Sequence, residues 1–171
     1  MFTPKAAVVA LLVASPVLAQ GPNLGQPIPE SDVKAWDISI LPNGTGLPAG
    51  SGTPAQGARI YAQKCVACHG EAGKGGTAAA LVGGGPLTAI NSPKTIANFW
   101  GHSTTVFDFI RRAMPWQQPR TLSDDEVYAL TAYILAENKL IGANDVMNAK
   151  TLPQVKMPNR DNFILRFPDR I

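Results

Sequence analysis

The hydrophobic positions of this chain change character several times along its length. Ala6 to Ala14 is an unbroken apolar run behind Lys5, ended by Ser15-Pro16 and followed by Val17-Leu18-Ala19. A run that short cannot span a bilayer, and its charged start and small-residue end are those of a cleavable secretory leader over residues 1–19. Periodicity is then lost. Over residues 20–52, Pro22, Pro27, Pro29, Pro42 and Pro48 alternate with glycines. Prolines at this density predict an extended arm that holds no helix. Trp36, Ile38 and Ile40 are apolar enough for the arm to pack on the folded domain rather than act as a free linker.

Helical spacing begins at Thr53-Pro54, a capping residue followed by a proline suited to the first helical position. Gly57, Ile60 and Tyr61 share one face of a helix running to Cys65. A mid-helix glycine costs about 1 kcal/mol against alanine, so it marks a close helix crossing. Glycine-rich turns follow at Gly70–Gly76 and Gly83–Pro86. The second has no Lys-Ser/Thr pair after it and no strand before it, so it predicts a loop beside the site and not a phosphate cradle. Ser92-Pro93 predicts the start of a short helix through Ile96, Phe99 and Trp100. Another helix runs from Thr104 through Val106, Phe107 and Ile110 to Arg111-Arg112, ending at Met114-Pro115 because proline cannot continue it.

The last helix is the clearest. Ser123 and Glu126 form a capping box, Leu122 can staple to Val127, and Val127, Leu130, Ile134 and Leu135 form the buried stripe. Leu130 and Tyr133 are expected to cross the first helix at Gly57 and Tyr61, and Gly142 to mark the stop. The folded domain is therefore read as residues 53–142. The tail, residues 143–171, lacks periodicity but keeps Val155, Met157, Phe163, Leu165 and Phe167. That is too apolar for a solvated tail, so it is expected to wrap the domain or a partner.

The chemistry is concentrated in Cys65-Val66-Ala67-Cys68-His69. Only two cysteines and two histidines occur in 171 residues, and three of the four lie here. The pattern C-x-x-C-H is the attachment site of a c-type haem. One helical turn presents both thiols on one face, where they can form thioethers with the porphyrin vinyl groups, and His69 becomes the proximal iron ligand. Adjacent Cys68 and His69 suit a tetrahedral zinc poorly. No βαβ pattern accompanies them, as a redox dithiol would require. A disulfide between thiols this close would close a strained loop.

The second axial ligand is expected to be Met114, a soft neutral thioether that raises the haem potential; core filling is the bland alternative. The rival ligands are His102, Met147 and Met157, with His102 better suited to cap the helix that follows it. Trp100 and Trp116 are expected beside the haem or simply in the core. Arg111 and Arg112 could each pair with a haem propionate or stand as solvated ion pairs.

Composition narrows the partners. Hydrophobic content of 45% is ordinary for a globular chain, and the formal charge of +3 rests on 15 basic against 12 acidic residues. Loss of Lys5 with the leader leaves +2, and haem propionates would bring the balance near zero. Nothing here calls for nucleic acid or a membrane surface, and no stable membrane insertion is expected. Export and c-type attachment both point to the periplasm.

Together, Gly57…Tyr61, Cys65-x-x-Cys68-His69, Met114-Pro115 and Leu130…Tyr133 resemble a class I cytochrome c. The resemblance implies an all-α fold of four to five helices around one covalently bound haem, with histidine and methionine ligands. The family often carries P-x-L-x-G after the haem motif, the proline carbonyl accepting the proximal histidine's hydrogen bond. Here Ala79-Ala80-Leu81-Val82-Gly83 places an alanine there, whose carbonyl can still accept.

More narrowly, Ala35-Trp36-Asp37-Ile38, Gly46-Leu47-Pro48-Ala49-Gly50, the run from Phe107 to Pro115 and the run from Lys150 to Arg160 resemble the cytochrome subunits of Sox sulfane dehydrogenases and related sulfite dehydrogenases. Some members of that family carry a second haem domain, and this chain has one haem motif. The resemblance implies a molybdenum-cofactor dehydrogenase partner and a downstream cytochrome or oxidase. The expected function is that of a one-electron carrier and not an enzyme. The alternatives are a freely diffusing cytochrome c serving a terminal oxidase and a catalytic haem protein acting on thiosulfate or peroxide.

Overall fold

The computed structural model describes residues 24–163; the expected leader lies outside them. The described chain divides into a segment ending at Asp37 and a larger unit that begins at Ile38. The first segment carries α1 (Glu30–Trp36), which corrects the expectation that the arm is helix-free. The reason is local. Pro29 precedes the helix and no further proline occurs until Pro42. Glu30 and Asp32 stand in its first turn and Lys34 in its last, matching the helix dipole.

The larger unit is built on α6 (Asp124–Glu137), which packs chiefly against α2 (Pro54–Lys64) and also against α5 (Ser103–Ala113). Both α2 and α6 begin with complete capping boxes, Thr53 with Gln56 and Ser123 with Glu126. The α2–α6 crossing lies where Gly57 predicted it. A β-carbon at Gly57 would overlap the carbonyl of Ala129 and come within 2.6 Å of the Tyr133 β-carbon. The partners at this point are thus Ala129 and Tyr133, with the Tyr61 and Tyr133 rings 5.0 Å apart.

Burial of α6 goes well beyond the four-residue stripe. Tyr128, Ala129, Thr131 and Ala132 are also buried, because α2, α5 and both flanking segments cover it from several sides. Its end differs too. The helix stops at Glu137 with Asn138 as its C-cap, and Lys139 takes the left-handed conformation (φ 58°). Gly142 comes later, its N–H bonded to Asp145. Similarly α4 (Ile96–Phe99) is capped by Thr95 and not Ser92, whose hydroxyl instead accepts from the Thr88 and Ala89 N–H groups.

Residues 38–52 and 143–163 belong to this same unit. Their strands β1 (Ser51–Gly52) and β2 (Met147–Asn148) pair antiparallel. Tyr128 donates its hydroxyl to the Pro48 carbonyl at 2.9 Å, and the Ser51 N–H bonds Asp125 at 2.7 Å. Ser103 donates to the Leu152 carbonyl at 2.6 Å. Met147, Leu152 and Met157 are fully buried in the core. No helix among the described residues is long and apolar enough to cross a membrane.

Lys64 and Glu126 link α2 to the start of α6 at 2.8 Å. The Lys64 hydrogen bond, with the Ser123 N–H, holds the Glu126 carboxyl below the usual carboxylate range. A depressed folded-state pKa contributes stability above the unfolded value, which is lost as pH falls through the folded one. Glu126→Gln keeps the cap but loses the charge, and both residues are partly exposed. The variant should therefore be about 0.5 kcal/mol less stable at pH 7. Denaturant titrations should show this difference closing as the pH is lowered through the acid range.

Candidate functional site

The site grows from the end of α2. Cys65 caps that helix and opens α3 (Val66–His69), with the N–H groups of Cys68 and His69 both directed at the Cys65 carbonyl, at 3.2 and 3.0 Å. This single turn sets both sulfurs on the wall of one cavity. Both thiols are free, and burial pushes Cys65 up to about 11. The chain then reverses at Gly70 (φ 72°), where a β-carbon would overlap the Gly75 carbonyl. The Gly75 N–H bonds the His69 carbonyl and the Ala78 N–H bonds the Cys68 carbonyl, each at 2.8 Å. Tyr61 donates its hydroxyl to the Gly70 carbonyl at 2.9 Å and pins the turn to α2. Burial, with a smaller contribution from Cys65, pushes that phenol up to about 12.

This turn brings His69 Nδ1 to 3.1 Å from the Ala79 carbonyl. A carbonyl cannot donate, so the proton of this bond sits on Nδ1 and Nε2 keeps a free lone pair. That is the state of a metal-ligating histidine whose ring is fixed by its other nitrogen. Alanine therefore serves where proline was the family expectation, since only the carbonyl is needed.

On the other side α5 ends at Ala113. Met114 is its C-cap, with its N–H still bonded to the Ile110 carbonyl at 3.0 Å and its backbone already extended ahead of Pro115. Its side chain shares with His69, Cys65 and Cys68 a cavity of about 300 Å³, walled by Tyr61, Leu81, Ile110, Leu122, Leu130 and Ile134. A smaller void lined by His69, Met114, Trp100 and Phe109 lies next to it. Trp100 and Phe109 meet edge-to-face there at 5.5 Å, while Trp116 stands exposed at the mouth of the larger cavity with Lys64 and Gln117.

The rival ligands lie elsewhere. Met147 and Met157 are buried in the core and His102 precedes α5; none of the three lines either space. His102 holds the N-cap position but its side chain makes no capping bond. The Gly83–Pro86 loop also misses the cavity: Gly84, Gly85 and Pro86 line a separate groove with Phe99 and Phe163.

Arg111 and Arg112 are both engaged in ion pairs. Arg111 Nε lies 3.1 Å from Asp124, and Arg112 Nε lies 2.7 Å from Asp108, with a further bond to the Ile38 carbonyl. Neither lines the cavity. Arg111→Gln and Arg112→Gln should each leave the midpoint potential essentially unchanged in a potentiometric titration.

Two thiols on one helical turn, an imidazole with a free Nε2, a thioether facing the same space and apolar walls form a donor set that suits a c-type haem. Sequence reasoning had singled out these four side chains, and the structure brings them to one cavity. It missed Ala129 at the helix crossing and Asn138 at the end of α6, which carry no motif of their own.

Comparison with known proteins agrees. Residues 52–134 match the family model described as cytochrome c oxidase, cbb3-type, subunit III. A chain of the sulfane dehydrogenase SoxCD from Paracoccus pantotrophus is 37% identical, with a TM-score of 0.77 over 87% of this chain and 73% of that one. A chain of thiosulfate dehydrogenase TsdBA from Marichromatium purpuratum is 27% identical over 50% of this chain and 18% of that one. Its TM-score of 0.38 is too low to relate the folds. With its class I fold and its likeness to the SoxCD chain extending well past the haem-binding core, this chain belongs to the c-type cytochromes, proteins that carry electrons on covalently bound haem.

Proposed function

We propose that this chain is a periplasmic one-electron carrier with a single haem. Cys65 and Cys68 would hold it by thioethers, and His69 and Met114 would supply a nitrogen and a sulfur ligand to its iron. It accepts electrons from a molybdenum-cofactor dehydrogenase acting on a sulfur compound and passes them to a downstream cytochrome or oxidase. The observation that carries the reading is the His69–Ala79 bond at a cavity that Met114 also lines. It frees one imidazole nitrogen, and with the haem bound the Met114 thioether would supply a second ligand from the same cavity.

The haem, when bound, supplies a one-electron couple. The chain's own residues do the rest. Leu81, Ile110, Leu130 and Ile134 keep water from the ligands, which holds the polarity around the iron low. Tyr61 and Ala79 fix the turn and the ring of the proximal ligand. The exposed mouth at Trp116 leaves a short path from cavity to surface. Since the carrier takes single electrons, a two-electron sulfur oxidation requires two successive transfers or two copies.

The dehydrogenase partner is supported by the likeness to a SoxCD chain over 87% of this chain, well beyond the generic domain at 52–134. Residues 38–52 and 143–163 are built into the fold, and a diffusing shuttle would have no use for such elaboration. The test is to purify the haem-loaded protein from its native host at moderate salt, where weak charge-steered contacts are screened. Molybdenum should accompany it, and sulfite or thiosulfate should reduce its haem in that fraction. Haem recovered alone, and oxidised directly by membrane-bound oxidase, would instead establish the diffusing carrier. Turnover of thiosulfate or peroxide by the isolated protein would establish a haem enzyme.

A further inference from the structure

The carbonyl that receives the His69 proton belongs to an irregular segment. Between the turn at Gly73 and α4 the chain has no helix or strand, and Ala79 has no ring to restrict its backbone. A hydrogen bond from such a segment fixes a ligand only if the segment is itself held. Three backbone bonds hold it from one side: the Ala78 N–H reaches the Cys68 carbonyl at 2.8 Å, and the N–H groups of Leu81 and Val82 reach the Gly73 carbonyl at 2.8 and 3.0 Å. Cys68, however, shares the helical turn of His69 and Gly73 lies in the turn that follows it, so both move with the ligand. The Ile96 N–H at the Leu81 carbonyl (3.2 Å) and the Thr95 hydroxyl at the Gly83 carbonyl come from α4, a single helical turn.

The anchor to the buried core is Asn138, the C-cap of α6. Its Nδ2 donates to the carbonyls of Leu81 (3.2 Å) and Ile134 (2.9 Å), and its Oδ1 accepts from the Gly83 N–H (3.1 Å). This pattern settles the amide orientation, because the flipped group would set its oxygen against two carbonyls. One side chain thus brackets Leu81–Gly83 on both sides of Val82. Leu81 in turn lines both spaces shared by His69 and Met114.

We infer that Asn138 is a positioning residue for His69: it ties the segment carrying the Ala79 acceptor to α6 and so sets the strength of the Nδ1–H bond behind the iron ligand. The inference rests on the reading of His69 as a haem ligand. A held acceptor makes the imidazole a stronger donor to the metal. That favours the oxidised state, so releasing the acceptor raises the potential.

The experiment uses the haem-loaded protein. In the reduced form the His69 Nδ1–H proton is followed by NMR, together with the midpoint potential and the unfolding midpoint. Asn138→Ala is expected to speed exchange of that proton on the order of tenfold, the effect of a local opening made easier by about one hydrogen bond, and to raise the potential. Ala79→Pro, which removes backbone freedom at the acceptor itself, is expected to restore both readouts when combined with Asn138→Ala. Where Asn138→Ala retains too little haem, Asn138→Asp serves. It keeps the acceptor for Gly83 and loses the donor to Leu81, with the same expected direction of exchange.

Lower stability with unchanged exchange and potential would reduce Asn138 to a helix cap and overturn the inference. So would exchange that stays fast in the double variant. Failure of the underlying reading is separate: the unsubstituted protein would then show no haem-shifted histidine N–H at all.

Discussion

Replacing Met114 with alanine is expected to abolish the near-infrared sulfur-to-iron charge-transfer band of the oxidised protein while leaving the haem covalently attached. The thiols proposed to retain the cofactor stand at the cap of α3 and within it, whereas the thioether arrives separately at the end of α5. The potential should fall by a sizeable share of the roughly 0.8 V over which axial ligands tune haem. A soft neutral sulfur favours the reduced iron. Small exogenous ligands such as imidazole should then bind, since neither Met147 nor Met157 can leave the core and His102 lies outside both spaces. Persistence of the band in this variant would remove Met114 as the ligand, and absorption spectroscopy with potentiometry decides it. Met114→Leu, which keeps volume, separates ligation from packing: the band should vanish with little change in the unfolding midpoint.

Gly57→Val should cost about 3 kcal/mol, the upper end of typical overpacking penalties. The new side chain would meet the Ala129 carbonyl and the Tyr133 β-carbon. One of these is helix backbone and cannot rotate away. Splaying α2 from α6 also disturbs Tyr61, whose hydroxyl holds the Gly70 carbonyl, so haem retention should fall along with the thermal midpoint. Thermal denaturation followed at the haem band and in the far ultraviolet reads both effects. Gly57→Ala should already destabilise, because the overlap begins at the first side-chain carbon. A wild-type midpoint in the valine variant would mean that the two helices do not cross there.

The site was more legible in the sequence than the packing around it. Cys65, Cys68 and His69 follow from spacing alone, because local helix geometry determines which residues share a face. Met114 could be singled out over Met147 and Met157 by the proline that stops its helix, and the structure encloses the other two in the core. The caps at Thr53 and Ser123 are local and were readable; the ends at Asn138 and Lys139 were not, since no glycine announces them. The α1 helix was hidden by the prolines around it, which mask a proline-free run when only density is weighed.

Periodicity undercounted the burial of α6. A single stripe would suffice for a helix covered from one side, but Ala129 is buried because α2 and the Ser51–Gly52 strand lie against it. Tertiary structure also incorporated the two flanking segments, through pairings such as Ser51 with Asn148 that span nearly a hundred residues of chain.

By itself, then, the sequence determined the C-x-x-C-H motif expected to attach the cofactor, the helical class and the cap residues, since each depends on chemistry within a few positions. Only the tertiary structure decided that Ala129 meets Gly57, that the flanking segments join the core and that Asn138 reaches the acceptor segment, because those depend on the meeting of residues far apart in the chain.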